Sequence, residues 1–164
     1  MKYLIFCVSA SIIIGLASCK PKAHCGEIEF RNVEEYTAFV LKQQDRIKMQ
    51  MLSLNTEFET GNATQIKQEY SQLILTCDST LLLINKLSAY DGQEEFRLSA
   101  IKLFSFYSEV FHDEYRNLLE FYLKKETPIQ PELDSMNALV GRINKAEDSL
   151  VNSFKSELEA LHAL

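Results

Sequence analysis

The stretch that decides the fold is residues 95–122, which read EFRLSAIKLFSFYSEVFHDEYRNLLEFY. Its apolar residues recur at steps of three and four, at Phe96, Ala100, Leu103 or Phe104, Tyr107, Phe111, Tyr115, Leu118 and Tyr122. This spacing places them on one face of an α-helix, whereas a strand would show alternation with period two. The stretch therefore predicts a long amphipathic helix that buries one face.

The same helical period appears in three further segments of the chain. Their apolar stripes run from Val33 to Phe58, from Ile66 to Leu87 and from Leu133 to Leu161. Beyond residue 30, glycine and proline stand mostly between the segments, at Gly61, Gly92, Pro128 and Pro131. Because these two residue types favour turns and helix ends, the stripes predict four helices joined by short connections.

A capping pair marks the start of each predicted helix. The pairs, each with an acid or amide three residues after the cap, are Asn32–Glu35, Asn62–Gln65, Asp91–Glu94 and Thr127–Gln130. Helices of about 28 to 35 residues with connections of about two to four residues have to run antiparallel to their sequence neighbours. The predicted fold of residues 31–164 is therefore all-α, an antiparallel up-down-up-down four-helix bundle with long helices. Four separate coiled-coil strands are the alternative, which the short connections disfavour.

Four apolar side chains widen the stripe of the aromatic third segment. They lie along its flank, at Leu103, Phe106, Val110 and Phe121. One explanation is that this helix packs between two partners within the fold. The other is that the four residues form an exposed ledge that binds another protein or an apolar ligand.

Two polar residues, Gln43 and Glu147, interrupt stripes that are otherwise apolar. A buried polar residue at such a position can fix the register between helices. A slight rotation of either helix would instead expose the side chain to water. Both explanations remain open at the level of sequence.

The N-terminus has the composition of a secretory signal peptide. Lys2 is followed by an apolar run from Leu4 to Leu16 and then by the small residues Ala17 and Ser18, ahead of Cys19. The run is too short for a transmembrane helix, which needs about 20 apolar residues. The pattern therefore predicts a protein that is exported.

The four residues Leu16-Ala17-Ser18-Cys19 are similar to the lipobox of bacterial lipoproteins. In that family the cysteine thiol receives a diacylglycerol, the chain is cut just before the cysteine, and the new amino group usually takes a fatty acid such as palmitate. The resemblance implies that residues 1–18 are a signal peptide removed between Ser18 and Cys19, and that residues 19–30 are a lipidated tether. An ordinary cleaved signal, with a cysteine at the junction by chance, is the alternative.

The residue after the lipidated cysteine bears on which membrane holds the protein. Lys20 stands where some lipoproteins carry the aspartate that retains them in the inner membrane. The resemblance therefore implies a lipid anchor in the cell envelope, on the outer membrane facing the periplasm or on the cell surface. The chain would then have two partners: the lipid bilayer, bound through acylated Cys19, and an envelope protein.

Cysteine and histidine positions predict no disulfide and no metal site. Cys77 falls on an apolar stripe, about 30 Å of helix away from Cys25 in the tether, and is expected in the core. Glu-x-x-His occurs at Glu109–His112 and Glu159–His162, a motif that di-iron helix bundles use to bind their metal ions. In antiparallel helices these pairs would be displaced by about 21 Å, so they cannot share one metal pair.

Composition excludes several further functions. The chain of 164 residues has 17 Lys+Arg against 23 Asp+Glu, a net charge of −6, so a nucleic-acid partner is not expected. Three histidines, no nucleophile motif and no glycine-rich phosphate loop predict neither an enzyme nor a cofactor site.

The remaining expectation is a membrane-anchored, non-catalytic module that binds proteins through its helical surfaces. A periplasmic bundle that binds a small molecule or a metal is the alternative. With its Tyr90-Asp91-Gly92 turn, the body resembles uncharacterised helical lipoproteins and domains of unknown function of Gram-negative bacteria.

Overall fold

The computed structural model describes residues 22–124 and 129–163, most of which are helical, as predicted. The helices are α1 (Val33–Thr60), α2 (Ala63–Asn85), α3 (Glu95–His112), α4 (Glu114–Tyr122) and α5 (Gln130–His162). Two short strands precede them, β1 (Ala23–Cys25) and β2 (Ile28–Phe30). Among these helices none is both long and apolar enough to span a membrane.

Two of the predicted helix caps are confirmed. The side chain of Asn32 accepts a hydrogen bond from the Glu35 amide at 2.8 Å, and Asn62 accepts bonds from the amides of Thr64 and Gln65. Each bond satisfies a backbone donor that the first turn of a helix leaves without a partner. Gly61 ends α1 at φ 69°, a left-handed conformation that favours glycine.

The predicted cap at Asp91 is wrong, because this residue belongs to a tight turn. Asp91 and Gly92 have φ values of 50° and 82°, and the amide of Gln93 donates to the carbonyl of Tyr90 at 2.8 Å. Asp-Gly is a favoured pair for a turn with two positive φ angles. The helix begins later, at Glu95. Thr127, predicted to cap the last helix, lies outside the described residues.

The third predicted helix is two helices that meet at Asp113. The backbone there has φ −109° and ψ −68°, which departs from regular helix. Beyond the break, α4 reaches the end of α1, where the rings of Phe58 and Tyr122 meet edge to face at 4.6 Å. The Tyr122 hydroxyl also donates to the Phe58 carbonyl.

The long helices each pack against the next one along the chain, and the last of them also packs against the first. Contacts join α1 to α2, α2 to α3 and α3 to α5, and fewer join α5 back to α1. Side chains bridge the pairs: Ser53 of α1 donates to Glu69 of α2 at 2.9 Å, and Phe96 of α3 lies 5.1 Å from Phe154 of α5. The fully buried side chains between the helices include Tyr36, Phe96, Phe104, Phe111 and Phe154.

From residue 22 onward, the segment predicted as a tether over residues 19–30 is a hairpin packed on the helices. Strands β1 and β2 pair antiparallel through a turn at Gly26. Their inward residues Ala23, Cys25 and Phe30 are buried, and the Phe30 ring lies 5.5 Å from that of Tyr36. The free energy of this burial holds the hairpin in place.

The other edge of β1 is bound to the connection between α2 and α3. The amide of Ser88 donates to the His24 carbonyl, and the amide of Asp91 donates to the Lys22 carbonyl, both at 2.8 Å. The side chains of Lys22 and Asp91 form an ion pair at 3.3 Å. Strand β1 is therefore held on both sides, as a central strand would be.

Candidate functional site

A groove of about 550 Å³ runs between α1 and α5, the two neighbouring helices that pack least closely. Its apolar walls are Leu41 on α1 and Val151 and Leu158 on α5. The buried rings of Tyr107 and Phe154 form its floor. Its volume is within the range of about 300–1,000 Å³ typical of ligand-binding clefts.

The floor of the groove carries polar groups from three helices. The Tyr107 hydroxyl of α3 donates to Glu147 Oε1 of α5 at 3.1 Å. The side chain of Gln44, a buried residue of α1, also reaches this hydroxyl. Burial raises the pKa of Tyr107 above its usual value, so the hydroxyl stays protonated and remains a hydrogen-bond donor.

Glu147 is the residue of the groove with the clearest capacity to bind. Its side chain is half-buried, whereas those of Asp45 and Asp148 are exposed, and the ion pairs within residues 22–124 and 129–163 include none of the three. Charges of both signs stand on the rim, at Asp45, Lys48, Asp148 and Lys155. A carboxylate beside apolar walls can accept a hydrogen bond from a cationic donor, an interaction stronger than a neutral one.

Of the two polar residues that interrupt the stripes, only Glu147 links two helices. Gln43 is buried, but its hydrogen bonds go to Phe39 and Arg46 of its own helix. Sequence reasoning therefore noted Glu147 only as a residue that could fix the helix register, and it missed the groove with Gln44 and the hydroxyl of Tyr107. No pattern identified them, because Gln44 looked like an ordinary polar residue and Tyr107 like an ordinary core aromatic.

The four residues of the predicted apolar ledge do not form one exposed surface. Leu103 and Val110 are buried in the core, as the packing explanation expects. Phe106 is half-buried and packs against the core, with its ring 6.1 Å from that of Tyr107. Phe121 alone lines an open cleft, because the break before α4 separates it from the other three.

That cleft, of about 460 Å³, lies between α4 and the first turns of α5. Leu118, Phe121, Met136 and Leu139 supply its apolar lining. Polar side chains also line it, at Asn117, Glu120, Lys124, Glu132 and Ser135. This end of the molecule is opposite the hairpin, since α4 packs beside the last turn of α1.

The two Glu-x-x-His pairs lie on different elements and have other neighbours. Glu109 is exposed, and His112 pairs with Asp78 of α2 at 3.0 Å. His162 Nε2 lies 3.1 Å from the Thr37 hydroxyl of α1. Within the described part of the chain, no three His, Cys, Asp or Glu side chains come together as metal ligands would.

The two described cysteines are both free and buried. Cys77 lies in the core as predicted, and burial raises its pKa to about 12. Burial also raises the pKa of Cys25, whose Sγ lies 3.2 Å from the Leu83 carbonyl oxygen. Ser18 and Cys19, the predicted cleavage and lipidation positions, lie outside the described residues.

Protein-family models, curated proteins and solved structures were compared with the chain, and none of them matches it. What the groove binds therefore has to be inferred from its own side chains. These are apolar walls, one half-buried carboxylate among exposed charges, and a buried hydroxyl that donates a hydrogen bond to it.

Proposed function

We propose that the protein is a bacterial envelope lipoprotein whose helical body binds a protein partner in the groove between α1 and α5. Acylated Cys19 anchors it in the outer membrane on the periplasmic side. The observation that carries the binding proposal is the carboxylate of Glu147, held by Tyr107 beside apolar walls and outside the ion pairs of the described chain. The module is non-catalytic.

Support for the anchor comes from the residues Leu16-Ala17-Ser18-Cys19, which have the lipobox pattern behind an apolar run. Diacylglycerol on the thiol and a fatty acid on the amino group hold a protein on a bilayer much more firmly than one chain does. Lys20 in place of aspartate favours the outer membrane.

The long segments are proposed to form an up-down-up-down bundle, with α3 and α4 together as the third. Several contacts support this topology by joining the late part of one helix to the early part of another. Ser53 meets Glu69 across the turn at Gly61, and Tyr70 donates to the Phe111 carbonyl at 2.6 Å. Thr37, near the start of α1, meets His162 at the end of α5.

The chemistry of the groove indicates the partner. A groove between two helices takes an amphipathic helix, which places apolar side chains along its length. Opposite Glu147 the partner needs a Lys or Arg, because leaving that carboxylate desolvated without a cation would cost binding energy. The acidic net charge of −6 also favours approach by a basic partner.

Photo-crosslinking in living cells tests the groove. A photoreactive amino acid in place of Lys155, on the groove rim, should trap one discrete protein, whereas the same group in place of Lys67, an exposed residue of α2, should not. Glu147→Gln in the Lys155 variant should lower the yield about tenfold, since a charged hydrogen bond contributes about 1.5–3 kcal/mol. The measurement is the crosslinked band on an immunoblot.

Glutamine at position 147 can still accept the Tyr107 hydrogen bond, so the fold should be kept, and thermal melting checks this. An equal yield with Glu147 and with glutamine at this position would show that the carboxylate does not bind the partner. Equal crosslinking from positions 155 and 67 would show that the partner does not use the groove at all.

A second candidate function, binding of a small apolar molecule, is favoured by the cleft that Phe121 lines. Its volume of about 460 Å³ and its lining by Leu118, Met136 and Leu139 suit such a ligand. Protein purified from its native membrane should then carry a small molecule visible by native mass spectrometry. Met136→Trp should remove that mass by filling the cleft, whereas Leu75→Trp on an exposed face should keep it. A spectrum without any added mass would rule this candidate out.

A further inference from the structure

The chain that follows the proposed lipid anchor is short and soon enters the hydrogen-bonded hairpin. Only two residues, Lys20 and Pro21, separate Cys19 from Lys22, so their Cα atoms can be at most about 11 Å apart. Lys22 itself is fixed, because its amide donates to the Phe30 carbonyl and its carbonyl accepts from the Asp91 amide, both at 2.8 Å. Its ammonium group pairs with Asp91 as well.

We infer that the hairpin end of the domain lies directly against the lipid headgroups and that the helices extend away from the bilayer. The hairpin end consists of residues 22–31, the turn at residues 90–93, the start of α1 and the end of α5. This inference rests on the proposed acylation of Cys19. A domain on a mobile tether would sample many distances from the membrane, whereas a hairpin fixed on both sides allows very few.

Charge favours this upright placement over one with the helices flat on the membrane. The exposed sides of the long helices carry acidic residues, among them Asp45, Glu59 and Asp148. Anionic headgroups repel such faces within a Debye length of about 8 Å at physiological ionic strength. The hairpin end is acidic as well, since exposed Glu27, Glu29 and Asp91 outnumber Lys22 and Arg31. Upright placement is favoured because it brings only this end, and not the whole length of an acidic domain of net charge −6, within that distance.

The placement sets the height of each candidate site. Helix α1 has 28 residues and is therefore about 42 Å long, so its Gly61 end would be held about 40 Å from the headgroups. Gln44, in the groove, lies about 17 Å along α1 from Val33. A partner would therefore bind along the side of the domain, and the cleft at Phe121 would face away from the membrane.

Fluorescence quenching measures the placement in the acylated full-length protein. Glu34→Cys and Glu59→Cys place a bimane label on exposed positions of one helix, about 37 Å apart. The label is attached through a maleimide group. Cys25 and Cys77 are buried, and burial raises the pKa of both thiols, so the maleimide reacts with the new cysteine. The protein is reconstituted in phosphatidylethanolamine–phosphatidylglycerol vesicles that carry a nitroxide on the headgroups.

Quenching should be at least about threefold stronger at position 34 than at position 59, because only the first lies near the headgroups. The control inserts 20 Gly and Ser residues between Pro21 and Lys22, which allow a root-mean-square separation of about 25 Å. In this variant the difference between the two positions should shrink to less than about twofold. Mass spectrometry confirms the acyl groups in every sample.

The outcomes separate this inference from the proposed function. Equal quenching at positions 34 and 59, in protein shown to be acylated, would overturn the placement and leave the lipid anchor standing. Stronger quenching at position 59 would overturn it as well. Protein without acyl groups on Cys19 would overturn the anchor, and the placement with it.

Discussion

Replacing Cys19 with alanine should abolish the incorporation of labelled fatty acid into the protein. In the proposed lipoprotein the sulfur of Cys19 takes the diacylglycerol, and alanine offers no nucleophile in its place. Labelling of growing cells with a radioactive or clickable fatty acid, followed by immunoprecipitation, measures the result as a fall to background. We expect a complete loss of label rather than a partial one. Without the acyl chains, the protein would also lose the contribution of about 0.8 kcal/mol that each buried methylene makes to membrane binding.

The matched control is Cys25→Ser, which changes a cysteine six residues later in the chain. Its buried thiol lies in the hairpin, where acylation would have to break the packing, so labelling should be unchanged. Intact mass spectrometry should also show a mature chain that begins at Cys19 and carries the acyl groups. Persistent label in the Cys19→Ala protein would mean that the lipoprotein proposal is wrong.

Phe104→Ala should destabilise the domain by about 3–5 kcal/mol, the range for removing a large aromatic side chain from a core. Phe104 is fully buried, and its ring meets that of Tyr107 edge to face at 6.2 Å. A loss of this size is a large part of the total stability of about 5–15 kcal/mol of a typical domain. Urea unfolding followed by circular dichroism gives the free energy, and we expect the melting temperature to fall by roughly 10 °C.

Phe106→Ala is the matched control, with the same side chain two residues further along the same helix. Because Phe106 is only half-buried, we expect a loss of about 1–2 kcal/mol, in proportion to the apolar area removed from water. Equal losses at the two positions would contradict the burial that the structure assigns. They would also reopen the explanation in which Phe106 packs fully between two partners.

The N-terminal hairpin shows why part of the fold escaped sequence analysis. Each strand has three residues, too few for alternation to stand out from chance. Pro21 and Gly26 also favoured a loop. What stabilises the strands is contact with residues far along the chain, such as Ser88 and Asp91.

Local chemistry explains which helix boundaries could be predicted. Asn32 and Asn62 cap their helices through hydrogen bonds to residues two or three positions away, so a short stretch of sequence is enough to predict these caps. Asp91 has the same spacing from an acid, but the following Gly92 favours a tight turn, and that turn packs beside Lys22. The break at Asp113 has no comparable mark, since the apolar period continues through it.

The sequence by itself determined that the chain is mainly helical, where three of the four predicted long helices lie, and which residue is expected to carry a lipid. These features depend on periodicity and short motifs, whose physical causes act within a few residues. Only the tertiary structure decided that residues 22–30 form a hairpin packed on the helices, that Phe121 is separated from Leu103, and that Gln44, Tyr107 and Glu147 line one groove. These arrangements depend on how helices far apart in sequence pack, because burial and hydrogen bonding between them set the position of each side chain.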